Sequence, residues 1–302
     1  MSTDGGLGKL QAFCVAACER DFLWAWSDTC CIDKDSSAEL QEAIGSMFAW
    51  YRRSALTIVY LADTPNTGSF GSSEWFGRGW TLQELLAPPI LLFFTQNWSL
   101  YKNLTSSNHK TDVTVLEELE KVTGIESRFL ANFSPGVDDA RSRLQWASKR
   151  STTRPEDIAY SLFGIFNLHL PILYGESAEN ALGRLLAEIT SQSGDISILD
   201  WIGEASSFHS CFPAHITSYQ TPPSSPPLHA EESSPMSQLP ATSRALRSGS
   251  AARGGFVGTK SYVQDPGIWS EATRNHTARQ TRGCSDGARR SAGCSSLALK
   301  IA

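Results

Sequence analysis

The sequence predicts an α/β fold, with a mostly parallel sheet flanked by helices in the first hundred residues and a helical region after it. Two apolar runs read as strands covered on both faces, Leu56-Thr57-Ile58-Val59-Tyr60-Leu61 and Ile90-Leu91-Leu92-Phe93-Phe94. Before the first of them, Leu40, Ile44, Met47, Phe48 and Tyr51 recur at helical spacing, and an earlier aromatic run completes the order strand, helix, strand. Beyond about Trp98 only helical periodicity recurs.

Leu10, Phe13, Cys14, Ala17 and Cys18 form one stripe of a short opening helix, with both cysteines on the inner face. Phe22 to Ser27 follows as an aromatic strand that ends at Asp28. Ser36 or Ser37 caps the next helix, and Glu39 and Glu42 sit near its positive end. A Gly/Ser-rich loop from Thr64 to Ser73 leads to a helix around Trp80 to Leu86, stopped by Pro88 and Pro89. Further helices are expected at about 113–122, 141–147, 155–166 and 178–191, the third opened by a capping box of Thr153 and Glu156. From Glu204 onward, clusters such as Thr221-Pro222-Pro223-Ser224-Ser225-Pro226-Pro227 predict disorder. The expected divisions are therefore 1–105, 106–203 and 204–302.

Composition narrows the functional classes. Eight of the nine tryptophans lie between Trp24 and Trp201, whereas eight of the fourteen prolines follow Ser210, so ordering power is concentrated in the first two thirds. Up to Gly203 the chain carries 16 basic and 25 acidic residues, and beyond it 10 and 6. An acidic body without a basic stripe argues against nucleic acid as the partner. No run approaches the roughly 18 apolar residues of a membrane helix, and the chain starts without a leader pattern, so a soluble, cytoplasmic protein is expected. Seven cysteines, an odd number without a CxxC pair, fit reduced thiols. Cys30 and Cys31 would point to opposite faces of a strand end, so no metal site is expected.

Glu84 is the leading candidate for chemistry. It stands one helical turn from Trp80, after a glycine-rich loop. A glutamate so placed could bind two ribose hydroxyls or stabilise an oxocarbenium-like state by its charge. The alternative, favoured by the residues alone, is that it caps or salt-bridges this helix while Trp80, Leu82, Leu85 and Leu86 fill the core. Asp28 and Asp33 flank the vicinal cysteines just past a strand, where ligands gather in open α/β sheets; the alternative is that they organise the loop. Lys149, Arg150 and Arg154, with Ser151, Thr152 and Thr153, form a cationic knot that could anchor a phosphate or make salt bridges to Glu156 or Asp157. The glycines around Gly68 to Gly79 match neither GxGxxG nor a P-loop.

Several fragments, taken in order, resemble the fungal heterokaryon-incompatibility (HET) domain over about Leu7 to Trp98. They are Trp26-Ser-Asp-Thr-Cys-Cys-Ile-Asp-Lys34, Ala38-Glu-Leu40, Ser46-Met-Phe48, Trp50-Tyr51 and Gly79-Trp-Thr-Leu-Gln-Glu-Leu85. Glu156-Asp-Ile-Ala-Tyr160, Leu162-Phe-Gly-Ile-Phe166 and Pro171-Ile-Leu-Tyr-Gly-Glu176 resemble the helical region that commonly follows it. The resemblance implies a TIR-like, flavodoxin-like sheet and an effector of fungal non-self recognition and cell death that works through protein partners or self-association. In TIR domains that cleave NAD, a Trp-x-x-x-Glu pair carries the catalytic glutamate. By that likeness Glu84 would be catalytic, Trp80, Asp28 and Asp33 would line the substrate site, and NAD would be substrate rather than cofactor. The competing expectation is a non-enzymatic interaction module, or an inactive paralogue. The family ordinarily opens with a strand and helix before the segment matching Leu7 to Asp28, so a missing strand and an exposed sheet edge are expected.

Overall fold

The computed structural model describes residues 4–222 and 297–301. Helix α1 (Asp4–Cys18) leads through an exposed turn to a short strand β1 (Ala25–Ser27) and one turn of helix, α2 (Asp28–Cys31). The long helix α3 (Ser37–Arg53) and strand β2 (Thr57–Tyr60) complete the expected strand, helix, strand unit. Ser36 caps α3 by accepting from the Glu39 N–H, and its inner face is Ala43, Ile44, Met47, Phe48 and Tyr51. Helix α4 (Thr81–Leu86) and strand β3 (Leu91–Phe94) follow, with Pro88 and Pro89 between them.

The sheet is parallel throughout, and its face alternation explains the unbroken apolar runs. Ile58, Tyr60, Leu92 and Phe94 pack with Phe13, Ala16 and Ala17 of α1, while Val59, Leu61, Leu91 and Phe93 join the larger core with α3 and α4. Within α1 the buried residues are Phe13, Ala16 and Ala17, so Cys14 and Cys18, expected inside, are exposed. The first strand is shorter than its aromatic run suggested, because Leu23 and Trp24 face solvent.

The strand order is β1-β4-β2-β3, where β4 (Leu297–Ile301) lies between β1 and β2 and pairs in parallel with both. Ala298 is the partner of both Trp26 and Thr57. Residues expected from the sequence to lie in a disordered tail thus pair with both β1 and β2. The outer edge of β3 is also covered: Phe93 N–H donates to His109 Nδ1 at 3.0 Å and Leu91 N–H to Asn108 Oδ1 at 3.1 Å.

The helical layer comprises α5 (Val113–Thr123), α6 (Ser127–Ala131), α7 (Ala140–Ala147), α8 (Asp157–Tyr160), α9 (Phe163–Phe166) and α10 (Ala178–Ser193). The helix expected over 155–166 is broken in two, and the capping box does not form. Glu156 is itself the residue before α8, with helical backbone, and its carboxylate accepts from Gly175 N–H at 3.0 Å instead. At Gly164 a Cβ would sit 2.3 Å from Phe48 Cβ, so only glycine lets α9 approach α3 this closely. One hydrophobic core runs from Ile32 to Tyr219, across residue 105.

Order also extends past Glu204. Arg141 gathers this segment by donating to the carbonyls of Asp200 (2.6 Å), Tyr219 (3.2 Å) and Thr221 (2.6 Å). Tyr219, fully buried, donates its hydroxyl to Ile198 O. The disorder expected at 204–222 is therefore not found, because one buried guanidinium and one buried ring fix those residues. The expectation for 223–296 lies outside the described residues. Among the described residues no helix is long and apolar enough to cross a membrane.

Candidate functional site

The segment after β1, the helices α3 and α4 and the segment after α7 carry the residues singled out from the sequence. Gly77 to Thr81 is fixed by the segment after α7. Gly79 N–H donates to Ser151 O at 2.7 Å, and Ser151 N–H returns to Gly77 O at 2.8 Å. A Cβ at Gly79 would fall 2.5 Å from Thr152 Cγ2, so any side chain here would have to displace Thr152. Arg150 Nη1 donates to Arg78 O and Thr81 Oγ1, both at 2.9 Å, and Thr81 passes the chain on to Trp75 O at 2.6 Å.

All six residues of α4 are buried, Glu84 with 0% exposure. Its charge faces the Arg150 guanidinium and the Tyr51 hydroxyl. Burial holds the Arg150 pKa down to about 10, with Glu84 pulling it back up. Burial also pushes Tyr51 well above the usual phenol value, and the negative charges of Glu84 and Asp28 push it further. The Tyr51 hydroxyl is itself fully buried without a hydrogen-bond partner. Asp28, half-buried in the first turn of α2, therefore shares a neighbourhood with Tyr51 and Glu84.

Trp80 and Glu84 are one turn apart, as expected, but engage different partners. The Trp80 indole N–H donates to Asp157 Oδ2 at 3.1 Å, and Tyr174 donates to the other oxygen at 3.1 Å. Burial raises the Asp157 pKa against these two donors. Asp33 is exposed and organises the entry to α3: its Oδ1 accepts from Asp35 N–H at 3.0 Å, while Glu39 accepts from its own N–H at 2.9 Å. Asp28 and Glu84 thus both act by charge on the buried Tyr51 hydroxyl, whereas Trp80 and Asp33 are bonded elsewhere.

The cationic knot is likewise divided. Lys149 is exposed, Arg150 is buried, and Arg154 lies over the Tyr174 ring at 4.1 Å. The vicinal cysteines sit in a helical turn rather than a strand end, with sulfurs 3.7 Å apart and both exposed. Bonding to Cys31 and burial push the Cys30 thiol up, which disfavours a nucleophilic thiolate there. Among the described residues no group of three or more His, Cys, Asp or Glu is placed to hold a metal.

The family model described as "Heterokaryon incompatibility protein (HET)" matches residues 9–73. Residues 9–73 belong to the HET family. This HET segment runs from α1 through β2 into the loop before α4, so it contains Asp28, Asp33 and Tyr51 and stops short of Trp80 and Glu84. The chain is also similar to "Vegetative incompatibility protein HET-E-1" of Podospora anserina, 40% identical over 206 residues. That alignment covers 64% of this chain and 14% of the relative, so the chain spans about one seventh of the relative's length. No solved structure matches.

Two residues central to this neighbourhood, Tyr51 and Arg150, were not read as its members from sequence. Tyr51 was legible as a core position of α3, yet nothing in its spacing marks a hydroxyl left without a partner. Arg150 was visible only as one of three adjacent cations, and the contact that buries it comes from Arg78 and Thr81, about 70 residues away in the chain.

Proposed function

We propose that the chain is a heterokaryon-incompatibility module that acts through protein association, with Glu84 serving its fold. The likeness to HET-E-1 supports the incompatibility role, and the burial of Glu84 carries the choice of mechanism. A glutamate that orients a ribose must touch it, and this carboxylate has no exposed surface and faces Arg150 and Tyr51 within the core. The enzymatic reading, TIR-like NAD cleavage, draws on the spacing of Trp80 and Glu84 and needs α4 to move so that Glu84 reaches solvent.

Inducible expression in yeast separates the two. NAD content and viability are followed for the native chain and Glu84→Gln, with the melting temperature of each recorded. The module reading expects growth arrest at unchanged NAD in both. NAD depletion by the native chain that disappears in an equally stable Glu84→Gln variant would overturn it.

A further inference from the structure

A second feature includes Arg150 in its wall. The C-terminal end of α5 and the last turn of α7 enclose a cavity of about 160 Å³, well above the roughly 10–15 Å³ that one water needs. Its walls include the nearly buried rings of Phe76 and Trp146, and its polar side chains are Lys121, Thr123, Gln145, Lys149 and Arg150. Among the described residues no acidic side chain lines it. Lys121 and Lys149 stand exposed at its rim, and among the described residues neither has an ion-pair partner.

Two helix C-termini meet here, and their carbonyls would oppose an anion. Most of that opposition is already neutralised. Gln145 O accepts from Ser148, Trp146 O from Arg150 Nε at 3.3 Å, and Ala147 O from Arg150 N–H. At the end of α5, Leu119 O accepts from the Thr123 hydroxyl and Glu120 O from Gly124 N–H. What remains is two exposed ammonium groups and an amide around a concave space, with the Arg150 guanidinium in its wall already donating to Trp146 O, Arg78 O and Thr81 Oγ1. Ammonium and amide donors are the kind that recognise an oxyanion.

We infer that this cavity is a binding site for a phosphate group, free or on a small monoester, held by Lys121, Lys149 and Gln145 above the buried Arg150. Arg150, in the wall of the cavity, also donates to Thr81 at the start of α4. The site lies apart from Asp28 and Tyr51 and does not depend on whether the chain is an enzyme.

The test is calorimetric titration of the full chain with inorganic phosphate and, separately, ribose 5-phosphate, each matched against chloride at equal ionic strength. Lys121→Gln, Lys149→Gln and the double variant are compared, with the melting temperature of each recorded, since both lysines are exposed and outside the ion pairs of the described residues. The expected result is saturable binding of both phosphates, weakened about tenfold in the double variant at an unchanged melting temperature. Tighter binding of the sugar phosphate would identify an esterified ligand, and equal binding a free phosphate. No saturable binding, or binding unaffected by the double substitution, would overturn the assignment.

Discussion

Trp80 donates its indole N–H to the Asp157 carboxylate at 3.1 Å, which ties the start of α4 to α8 across 77 positions of sequence. Asp157 is mostly buried, so losing one of its two donors leaves a charge poorly compensated. Trp80→Phe should therefore cost about 1–3 kcal/mol, read as a lower urea midpoint at an unchanged slope. Adding Asp157→Asn should cost less than the two single changes combined.

Arg150 and Glu84 oppose each other's charge inside the core. Arg150→Met removes the buried cation that faces Glu84 and the donor to Arg78 O and Thr81, and should destabilise by about 3–5 kcal/mol. The double variant with Glu84→Leu should recover part of that loss. Additive effects in the double-mutant cycle would show that the two charges do not interact.

His109 introduces a pH dependence. Burial pushes its pKa down to about 4, and its Nδ1 accepts from Phe93 N–H, so the folded state holds it neutral. The unfolded chain takes up its proton near pH 6.5. Stability from this group is complete above that value and is lost as pH falls from 6.5 towards 4, by up to about 3 kcal/mol. Chemical denaturation between pH 7 and 4.5 should show this fall, and His109→Asn, which keeps an acceptor for Phe93, should flatten it.

The central strand can be removed. Deleting residues 297–302 leaves β1 and β2 facing an empty place in the sheet, each with unpaired backbone groups. Amide exchange in 57–60 should rise sharply, and the shortened chain should associate in light scattering. Unchanged protection of those amides would show that β2 does not depend on β4.

The parts of the fold set by local chemistry were readable in advance. The stripe of α3, its Ser36 cap, the buried runs of β2 and β3 and the stop at Pro88 all depend on residues within a few positions of each other. What escaped was decided by distant contacts. Arg141 orders Tyr219 and Thr221, and Glu156 bonds Gly175 instead of closing a capping box. Residues 297–301 carry only a weak strand signature and acquire meaning from the two strands beside them. At the site, Asp28 and Glu84 were identified by type and position, whereas the proximity of both to Tyr51 follows from the packing of α2, α3 and α4.

The placement of β4 also fixes an order of events during synthesis. Strands β1, β2 and β3 leave the ribosome early, and β4 follows roughly 200 residues after β3, on the order of 10–40 s later at ordinary elongation rates of ~5–20 residues per second. Through that interval the nascent chain has its hydrophobic helices and outer strands in hand while the middle of its sheet waits. A chaperone that shelters open strand edges would find its client in that window, and the yield of folded protein should respond to translation speed between codons 95 and 297.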